Sequence, residues 1–340
     1  MRRGAEPGPG EDDLSRAERC LAPLVSRRAV PSVAYAVARA DAATVGGFGG
    51  AGPRTIFEIG SLTKVFTALL LADLAERGQV RLSDPAARYL PGAAGTVTLA
   101  DLATHTAGLP RLPPGLAWSA LTRRRDPYAG YSEARLVRAA RRSLRASSRP
   151  NPYLYSNYGY GLLGYLLGQA AGSSYQALVT ERICGPLGLA DTTFDVPPAD
   201  HDRLARGHAR GRTVPGWHMG ALAAAGGLHS TAADLSALLR ACLCSSAGTT
   251  AGAPLAVTPL DGALRATMRP RAGLPGGQIG LAWHLSVRGD RELIWHNGMT
   301  GGYSAILAFD PVRNLGVAAL ANTAGVHPSP LDAAVFEALG

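Results

Sequence analysis

Strand-like segments occur at both ends of the chain, while its middle is mostly helix-like. Apolar runs over 31–59 (PSVAYAVAR, TIFEIG) and 278–322 (RELIWH, YSAILAFD, LGVAALAN) are separated by Gly, Asn and Asp, which is typical of strands joined by turns. Residues 81 to about 240 have the pattern of helices and loops, with breaks at prolines. Both ends should therefore build one sheet, and the middle should form an inserted lobe.

The pattern predicts an α/β protein with two lobes. The sheet lobe is discontinuous, over 1–80 and 241–340, and the mainly helical lobe spans 81–240. Helices over about 11–28 and 330–339 should cover one face of the sheet, and a helix after residue 60 should lie on the other. We expect the active site in the cleft between the lobes, and we interpret the stretch 245–256 as a surface loop.

Length and composition favour a large folded domain without a metal centre. The 340 residues are 46% hydrophobic and 17% charged, which is enough to bury a substantial core. No apolar run reaches the roughly 18 residues of a membrane span. Residues 1–13 lack the apolar stretch of a signal peptide, which predicts a cytoplasmic protein, although an N-terminally shortened chain would look the same. The four cysteines lack zinc-type spacing, so we expect them reduced, with no metal and no organic cofactor.

The formal net charge of +9 is a reason to consider a nucleic-acid partner. The densest arginine clusters are Arg123-Arg124-Arg125 and Arg141-Arg142, but neither an array of stacking aromatics nor a known binding motif accompanies them. We therefore expect no nucleic-acid partner. The clusters are interpreted as a solvated face or as an attraction for an acidic substrate.

Lys64 is the only lysine among the 34 Lys and Arg residues, and it lies three positions after a serine in the tetrapeptide SLTK. A guanidinium stays protonated at any pH that a protein survives, whereas an amine can lose its proton and act as a base. Residues 61–77 contain no Gly or Pro and stop at Gly78, which predicts a helix with Ser61 and Lys64 on one face. The N-terminal end of that helix would favour developing negative charge.

Two further motifs follow along the chain. The tripeptide YSN, which begins at Tyr155, precedes the apolar segment GYGLLGYLLGQAAG, so Tyr155 should lie on a loop that leads into a helix. The tripeptide HNG, which begins at His296, ends the strand-like run RELIW, and a Gly-Gly turn then leads into another strand.

The order and type of these three motifs resemble the serine β-lactamase and penicillin-binding protein superfamily. The likeness is to its class C branch, with D-Ala-D-Ala carboxypeptidase, esterase and acyltransferase relatives. It covers about residue 30 to about 325, with supporting phrases FEIG before Ser61, HTAGL at His105 and GGLHSTA at Gly226. It implies an antiparallel sheet flanked by helices, with the active site between this sheet and the helical lobe.

The resemblance also implies roles for particular residues. Ser61 would be the nucleophile, with Lys64, Tyr155 or the two together as the base, and Tyr155 would pass a proton to the leaving group. The backbone N–H groups of Ser61 and Met299 would form the oxyanion hole. Asn157 would bind an amide of the substrate.

Position 296 departs from the pattern of a class C β-lactamase, in which Lys-Thr-Gly would hold the carboxylate of the drug. His296 and Asn297 stand there instead, followed by Gly298. We take His296 as a candidate catalytic residue, and Asn297 and Gly298 as candidate substrate contacts. Trp217 and His218, in a loop before a Gly-Gly pair, are candidates for lining the cleft. The change at 296 favours an esterase, amidase or D-amino-acid peptidase over an efficient β-lactamase.

Each motif taken alone also has a purely structural interpretation. Ser61 or Asn157 can cap a helix, Tyr155 can be a packing residue, and His296 can be a polar side chain with satisfied hydrogen bonds. Together they favour an active-site-serine acyl-transfer enzyme that acts on a small-molecule or peptide-like ester or amide. Two alternatives stay open. One is a transacylase of antibiotic-type biosynthesis with an amine or alcohol acceptor, and the other is a catalytically silent binding protein on the same scaffold.

Overall fold

The structure of the protein is a computed structural model that describes residues 10–26, 30–116, 126–147, 152–246, 258–325 and 329–340. The arginine cluster at 123–125 and most of the stretch 245–256 lie outside the described residues. Within these ranges, no helix is long and apolar enough to cross a membrane.

Strands and helices are numbered in chain order. The strands of the described ranges are β1 Val33–Ala38, β2 Ala43–Phe48, β3 Phe57–Glu58, β4 His208–Ala209, β5 Arg212–Thr213, β6 His229–Ser230, β7 Ala272–Leu274, β8 Gly277–Ile279, β9 His284–Arg288, β10 Arg291–Met299, β11 Ser304–Asp310 and β12 Leu315–Ala321. The helices are α1 Glu11–Ser26, α2 Thr63–Glu76, α3 Leu99–Ala103, α4 Glu133–Ala146, α5 Asn157–Ala171, α6 Tyr175–Val179, α7 Gly185–Leu187, α8 Ala223–Gly226, α9 Ala232–Ser246, α10 Asp261–Met268 and α11 Pro330–Ala338.

Eight of these strands form one antiparallel sheet in the order β2-β1-β12-β11-β10-β9-β8-β7. β1 pairs with β12, with Val33 opposite Ala321, so both ends of the chain enter one sheet as predicted. The predicted fold class, an antiparallel sheet flanked by helices, is confirmed. The TIFEIG segment differs from the prediction, because β3 pairs with β6 outside the main sheet. Its extended backbone ends where Gly60 turns with φ of +50° toward α2.

Side chains of the central strands alternate between two apolar cores. Along β1, every second residue from Val33 packs into a core with α1 and α11, whereas the alanines between them belong to the larger core that contains α2 and α9. Because both faces are covered, β1, β11 and β12 are buried along their whole length, which explains their continuous apolar sequences. The terminal helices therefore cover one face, as predicted.

The helical lobe lies between α2 and α9, and in its described part the strands β4, β5 and β6 have two residues each. The expected lobe boundary at residue 240 falls inside α9, which packs on β1 and β12. Leu239 of this helix lies against Gly316 of β12. The chain thus returns to the sheet at the start of α9.

Gly60 places Ser61 at the start of α2. It has φ of +50°, and a Cβ there would lie 2.7 Å from the backbone nitrogen of Met299, so the position needs glycine on both counts. A 3-10 turn over Gly60–Leu62 runs directly into α2, which ends at Glu76, close to the predicted end. Ser61 therefore lies where this turn meets the end of β10.

Candidate active site

The Lys64 amine is fully buried and has three hydrogen-bond partners. Its Nζ lies 2.9 Å from Ser61 Oγ, 2.9 Å from Asn157 Oδ1 and 2.7 Å from the carbonyl oxygen of Ala225. The last two partners can only accept. A neutral amine therefore donates its two protons to them and turns its lone pair toward Ser61 Oγ. The serine hydroxyl then donates to Lys64, an arrangement in which the amine could accept the hydroxyl proton.

The surroundings of Lys64 favour its neutral form. Burial lowers the pKa of Lys64 well below its ordinary value, and the positive charge of Arg111 lowers it further. All three of its hydrogen-bond partners are uncharged. An amine held in this way is free to accept a proton at a lower pH than the amine of an ordinary lysine.

The Ala225 carbonyl reaches this amine because α5 bears glycines where it meets α8. A Cβ at Gly164 would overlap Ala224, and one at Gly161 would overlap the residue just before α8. The same close approach places the Ala224 carbonyl 2.7 Å from Thr67 Oγ1 on α2. The glycines of α5 thus let α8 approach closely enough for two of its backbone carbonyls to accept hydrogen bonds from α2.

Tyr155 lies on the loop before α5, as the sequence predicts, with its ring centroid 4.8 Å from Lys64 Nζ. The neighbouring Ser156 caps α5 with its side chain and donates its N–H to His105 Nδ1 at 3.0 Å, which fixes the backbone at Tyr155. Burial raises the pKa of the Tyr155 phenol well above its ordinary value, and the interaction with Ser61 lowers it only in part. The phenol therefore keeps its proton at neutral pH.

The end of β10 lies directly against the Ser61 turn. A Cβ at Gly298 would overlap the carbonyl oxygen of Ile59 and would lie 2.9 Å from the backbone nitrogen of Ser61. Glycine at position 298 therefore allows β10 and the Ser61 turn to approach closely, and a side chain at this position would separate them.

The backbone N–H of Met299 points to the edge of β10 that does not face β11. The next residue, Thr300, donates its N–H to the Tyr303 carbonyl at 3.0 Å, on the side of β11. Successive N–H groups of an antiparallel strand point to opposite edges, so the Met299 N–H points away from β11. On that side β9 pairs with β10 only as far as Trp295. In the described part of the chain, the Met299 N–H therefore has no strand partner on this side, where it lies beside the Ser61 turn.

His296 and Asn297 lie on opposite faces of β10. His296 is fully buried, with Nδ1 2.6 Å from the Asn297 carbonyl, so Nδ1 carries a proton and Nε2 a lone pair. Burial lowers the pKa of His296 well below its ordinary value, and His284 and Lys64 add to this, so the ring is neutral. The expectation that Asn297 contacts the substrate is corrected, because Asn297 Nδ2 donates to Asp332 of α11 at 2.7 Å, behind the sheet.

Asn157 is the first residue of α5, and both ends of its amide are engaged. Oδ1 accepts from Lys64, and Nδ2 donates to the hydroxyl of Tyr128 at 3.3 Å. The ring of Tyr128 in turn packs against Trp217, with centroids 5.2 Å apart. These contacts make Asn157 a positioning residue for Lys64, and its contact with a substrate amide stays a prediction.

Trp217 lies beside the end of β10, whereas His218 lies at the surface. The Trp217 N–H donates to Glu58 Oε1 at 2.9 Å, and its indole packs on Gly301. His218 is exposed, and both its N–H and its Nδ1 contact Asp126, with Nδ1 at 2.7 Å. That Trp217 lines the cleft stays a prediction, while the hydrogen bonds of His218 anchor its loop.

Sequence reasoning does not identify four residues near the site, namely Glu58, His105, Arg111 and Tyr128. Two of them lie in the phrases FEIG and HTAGL, but those phrases indicate no chemical role. Arg111 and Tyr128 are isolated loop residues without a spacing pattern. Among the described residues, no group of three His, Cys, Asp or Glu could hold a metal ion.

Known proteins share this sequence and this architecture. A sequence model of the Beta-lactamase family matches residues 17–340. A Beta-lactamase of Escherichia coli K12 is 27% identical, over 93% of this chain and 90% of that protein. The D-alanyl-D-alanine-carboxypeptidase/endopeptidase AmpH of the same organism is 32% identical, over 77% of this chain and 69% of that protein. The crystal structure of a class C β-lactamase from Rhodobacter sphaeroides matches with a TM-score of 0.79 and 25% identity, over 96% of this chain and 98% of that one. The chain therefore belongs to the β-lactamase family of serine acyl-transfer hydrolases.

Proposed function

We propose that the protein hydrolyses an ester or amide through an acyl-enzyme on Ser61. The observation that carries the proposal is the Lys64 amine, which is fully buried, has only uncharged hydrogen-bond partners among the described residues and lies 2.9 Å from Ser61 Oγ. A lysine that only stabilises a fold is expected at the surface or in an ion pair. Burying it neutral beside a hydroxyl is unfavourable for folding, and it is useful if the amine takes the proton of that hydroxyl.

In the acylation step, Ser61 Oγ forms a bond to the substrate carbonyl carbon as Lys64 Nζ takes the hydroxyl proton. The Tyr155 phenol, which keeps its proton near neutral pH, donates it to the leaving oxygen or nitrogen as that bond breaks. Lys64 then returns a proton to Tyr155, so both groups recover their starting states. Water resolves the acyl-enzyme by the reverse sequence. A positioned base of this kind contributes about 10²- to 10⁴-fold.

The negative charge that develops on the carbonyl oxygen would be met by the N–H groups of Ser61 and Met299. Both belong to backbone segments that Gly60 and Gly298 hold in close contact. Donors fixed before the reaction need no reorganisation when the charge appears, and losing one such donor typically costs about 10²- to 10³-fold in rate.

The surroundings of β10 support esters, amides or D-amino-acid peptides as substrates in preference to β-lactams. His296 is neutral and fully buried, and the side chain of Asn297 is turned to α11. Neither residue therefore supplies the cation and hydroxyl that would hold the carboxylate of a β-lactam. The similarity to AmpH, which is named a carboxypeptidase/endopeptidase, also supports a peptide-like substrate.

Intact mass of the protein after incubation with p-nitrophenyl acetate or a reactive thioester tests the proposal. We expect one added acyl group, located by peptide mapping on Ser61 and absent in Ser61→Ala. Ser132→Ala is a matched control, since Ser132 is an exposed helix cap. Labelling that persists in Ser61→Ala would contradict the assignment, and no adduct from any ester, thioester or β-lactam would support the binding-protein alternative. A new amide or ester formed with an added amine or alcohol would identify a transacylase.

A further inference from the structure

Arg111 lies beside Tyr155 on a backbone that is tied to α5. Its carbonyl oxygen accepts from the N–H groups of Asn157 at 3.0 Å and Tyr158 at 3.2 Å. These are the first two residues of α5, directly after the loop that carries Tyr155. The position of Arg111 relative to Tyr155 is therefore fixed by the backbone and does not depend on its flexible side chain alone.

The guanidinium of Arg111 lies over the ring of Tyr155, and none of the described carboxylates pairs with it. Its Cζ lies 5.2 Å from the centroid of the Tyr155 ring, and the residue is exposed. Within the described part of the chain no carboxylate forms an ion pair with it, whereas Arg88 pairs with Asp84 and Arg182 with Asp73. A guanidinium that lies over an aromatic ring keeps N–H donors along its edge, and no described residue accepts a side-chain hydrogen bond from Arg111, so these donors could bind an anion.

The charge of Arg111 acts on the groups around Ser61. It lowers the pKa of Lys64, adding to the larger effect of burial, and it opposes the rise that burial causes in the pKa of Tyr155 and of Tyr128. The pKa values of the other basic side chains described above close to Ser61, namely Lys64, His105 and His296, are all lowered well below their ordinary values, mainly by burial. A negatively charged group of a substrate in this part of the cleft would therefore meet Arg111.

We propose that Arg111 binds a carboxylate on the leaving group of the substrate. We assign Arg111 to the leaving group and not to the acyl group because it lies over Tyr155. In the proposed mechanism, Tyr155 is the residue that protonates the leaving atom. The edge of a guanidinium matches a carboxylate with two parallel hydrogen bonds. The substrate class is then an acylated amino acid or hydroxy acid, or another ester or amide whose leaving group is an anion. This inference rests on the proposed acyl-Ser61 chemistry, and it places carboxylate recognition on the loop between α3 and α4, away from β10.

The test compares two acetate esters with matched leaving groups, 3-carboxyphenyl acetate and its uncharged analogue 3-carbamoylphenyl acetate. We expect kcat/KM of the wild-type protein to be higher for the carboxylate ester. Arg111→Gln should reduce the ratio of the two kcat/KM values about 10- to 100-fold, as expected for hydrogen bonds to a charged group. Because both esters use the same Lys64, the ratio cancels any change that the lost charge causes in the base itself.

Two variants serve as controls. Arg111→Lys keeps the charge without the planar edge and should retain more of the preference than Arg111→Gln. Arg88→Gln removes a charge from another arginine that lies over a tyrosine, in this case Tyr89, and that pairs with Asp84, so it should leave the ratio unchanged. The inference is overturned if the wild-type protein does not favour the carboxylate ester, or if Arg111→Gln leaves the ratio within about twofold of wild type. If neither ester acylates Ser61, the proposed function itself fails and the inference falls with it.

Discussion

Gly298→Ala should disable acylation of Ser61 while the fold persists. The added Cβ would overlap the Ile59 carbonyl oxygen and lie 2.8 Å from the Leu62 nitrogen and 2.9 Å from the Ser61 nitrogen. Relieving these contacts requires β10 and the Ser61 turn to separate by about 1 Å, and a misplacement of that size costs about 100-fold in rate. Loss of one oxyanion donor costs about 10²- to 10³-fold. Both estimates predict a fall of about two to three orders of magnitude in the acylation rate, with about 1–3 kcal/mol of lost stability from overpacking.

The assay is the rate of acyl-mass gain on Ser61 with p-nitrophenyl acetate, measured on protein whose thermal unfolding shows a single folded species. Gly273→Ala is the matched control, since a Cβ at Gly273 on β7 of the same sheet meets nothing within 4 Å. Met299→Pro removes the proposed N–H donor itself and should give a similar loss without a new Cβ at 298. Wild-type acylation rates in both Gly298→Ala and Met299→Pro would refute an oxyanion hole at the end of β10.

Three further outcomes are expected from variants of the site. Lys64→Arg should lower the acylation rate of Ser61 by at least about 100-fold in folded protein, because a guanidinium cannot take up the serine proton; near-normal labelling in that variant would leave position 64 a purely electrostatic role. The kcat/KM of the wild-type protein should fall as pH drops through the lowered pKa of Lys64, and Asn157→Asp, which puts a carboxylate beside the amine, should raise that pKa and move this limb of the pH profile upward by about one to three units; an unmoved limb would contradict Lys64 as the base. Asn297→Ala should lower the unfolding free energy by about 1 kcal/mol and leave kcat/KM within about threefold, because its hydrogen bond lies behind the sheet; a large kinetic loss would restore Asn297 to the substrate site.

Local sequence patterns predict the elements that hold Ser61 and Lys64. The run from 61 to 77 specifies a buried helix, and an offset of three residues is enough to place Ser61 and Lys64 on one face. Strand-like runs at both ends predict a shared sheet, and β1 indeed pairs with β12. These features depend on short-range periodicity, which a sequence shows directly.

Other parts of the site depend on information that a sequence pattern does not contain. Alternation along β10 requires His296 and Asn297 to face opposite sides, but which of them faces Lys64 is decided by the packing of the whole sheet. The third partner of Lys64 is the Ala225 carbonyl, and a backbone atom has no residue-type signature. Arg111 reaches Tyr155 through a loop whose shape is set by backbone hydrogen bonds to α5.

The glycines of α5 limit which substitutions could make this enzyme more heat-resistant without loss of activity. Replacing glycine by alanine inside a helix usually raises stability by about 1 kcal/mol, so Gly161 and Gly164 would be early choices in a stabilisation library. Here the added methyl groups would push α8 away and draw the Ala225 carbonyl from the lysine. The resulting proteins would be inactive although no residue that touches the serine had been changed. A screen that measures only melting temperature would retain them whenever the stability gained in the helix exceeds the stability lost from the displaced contacts.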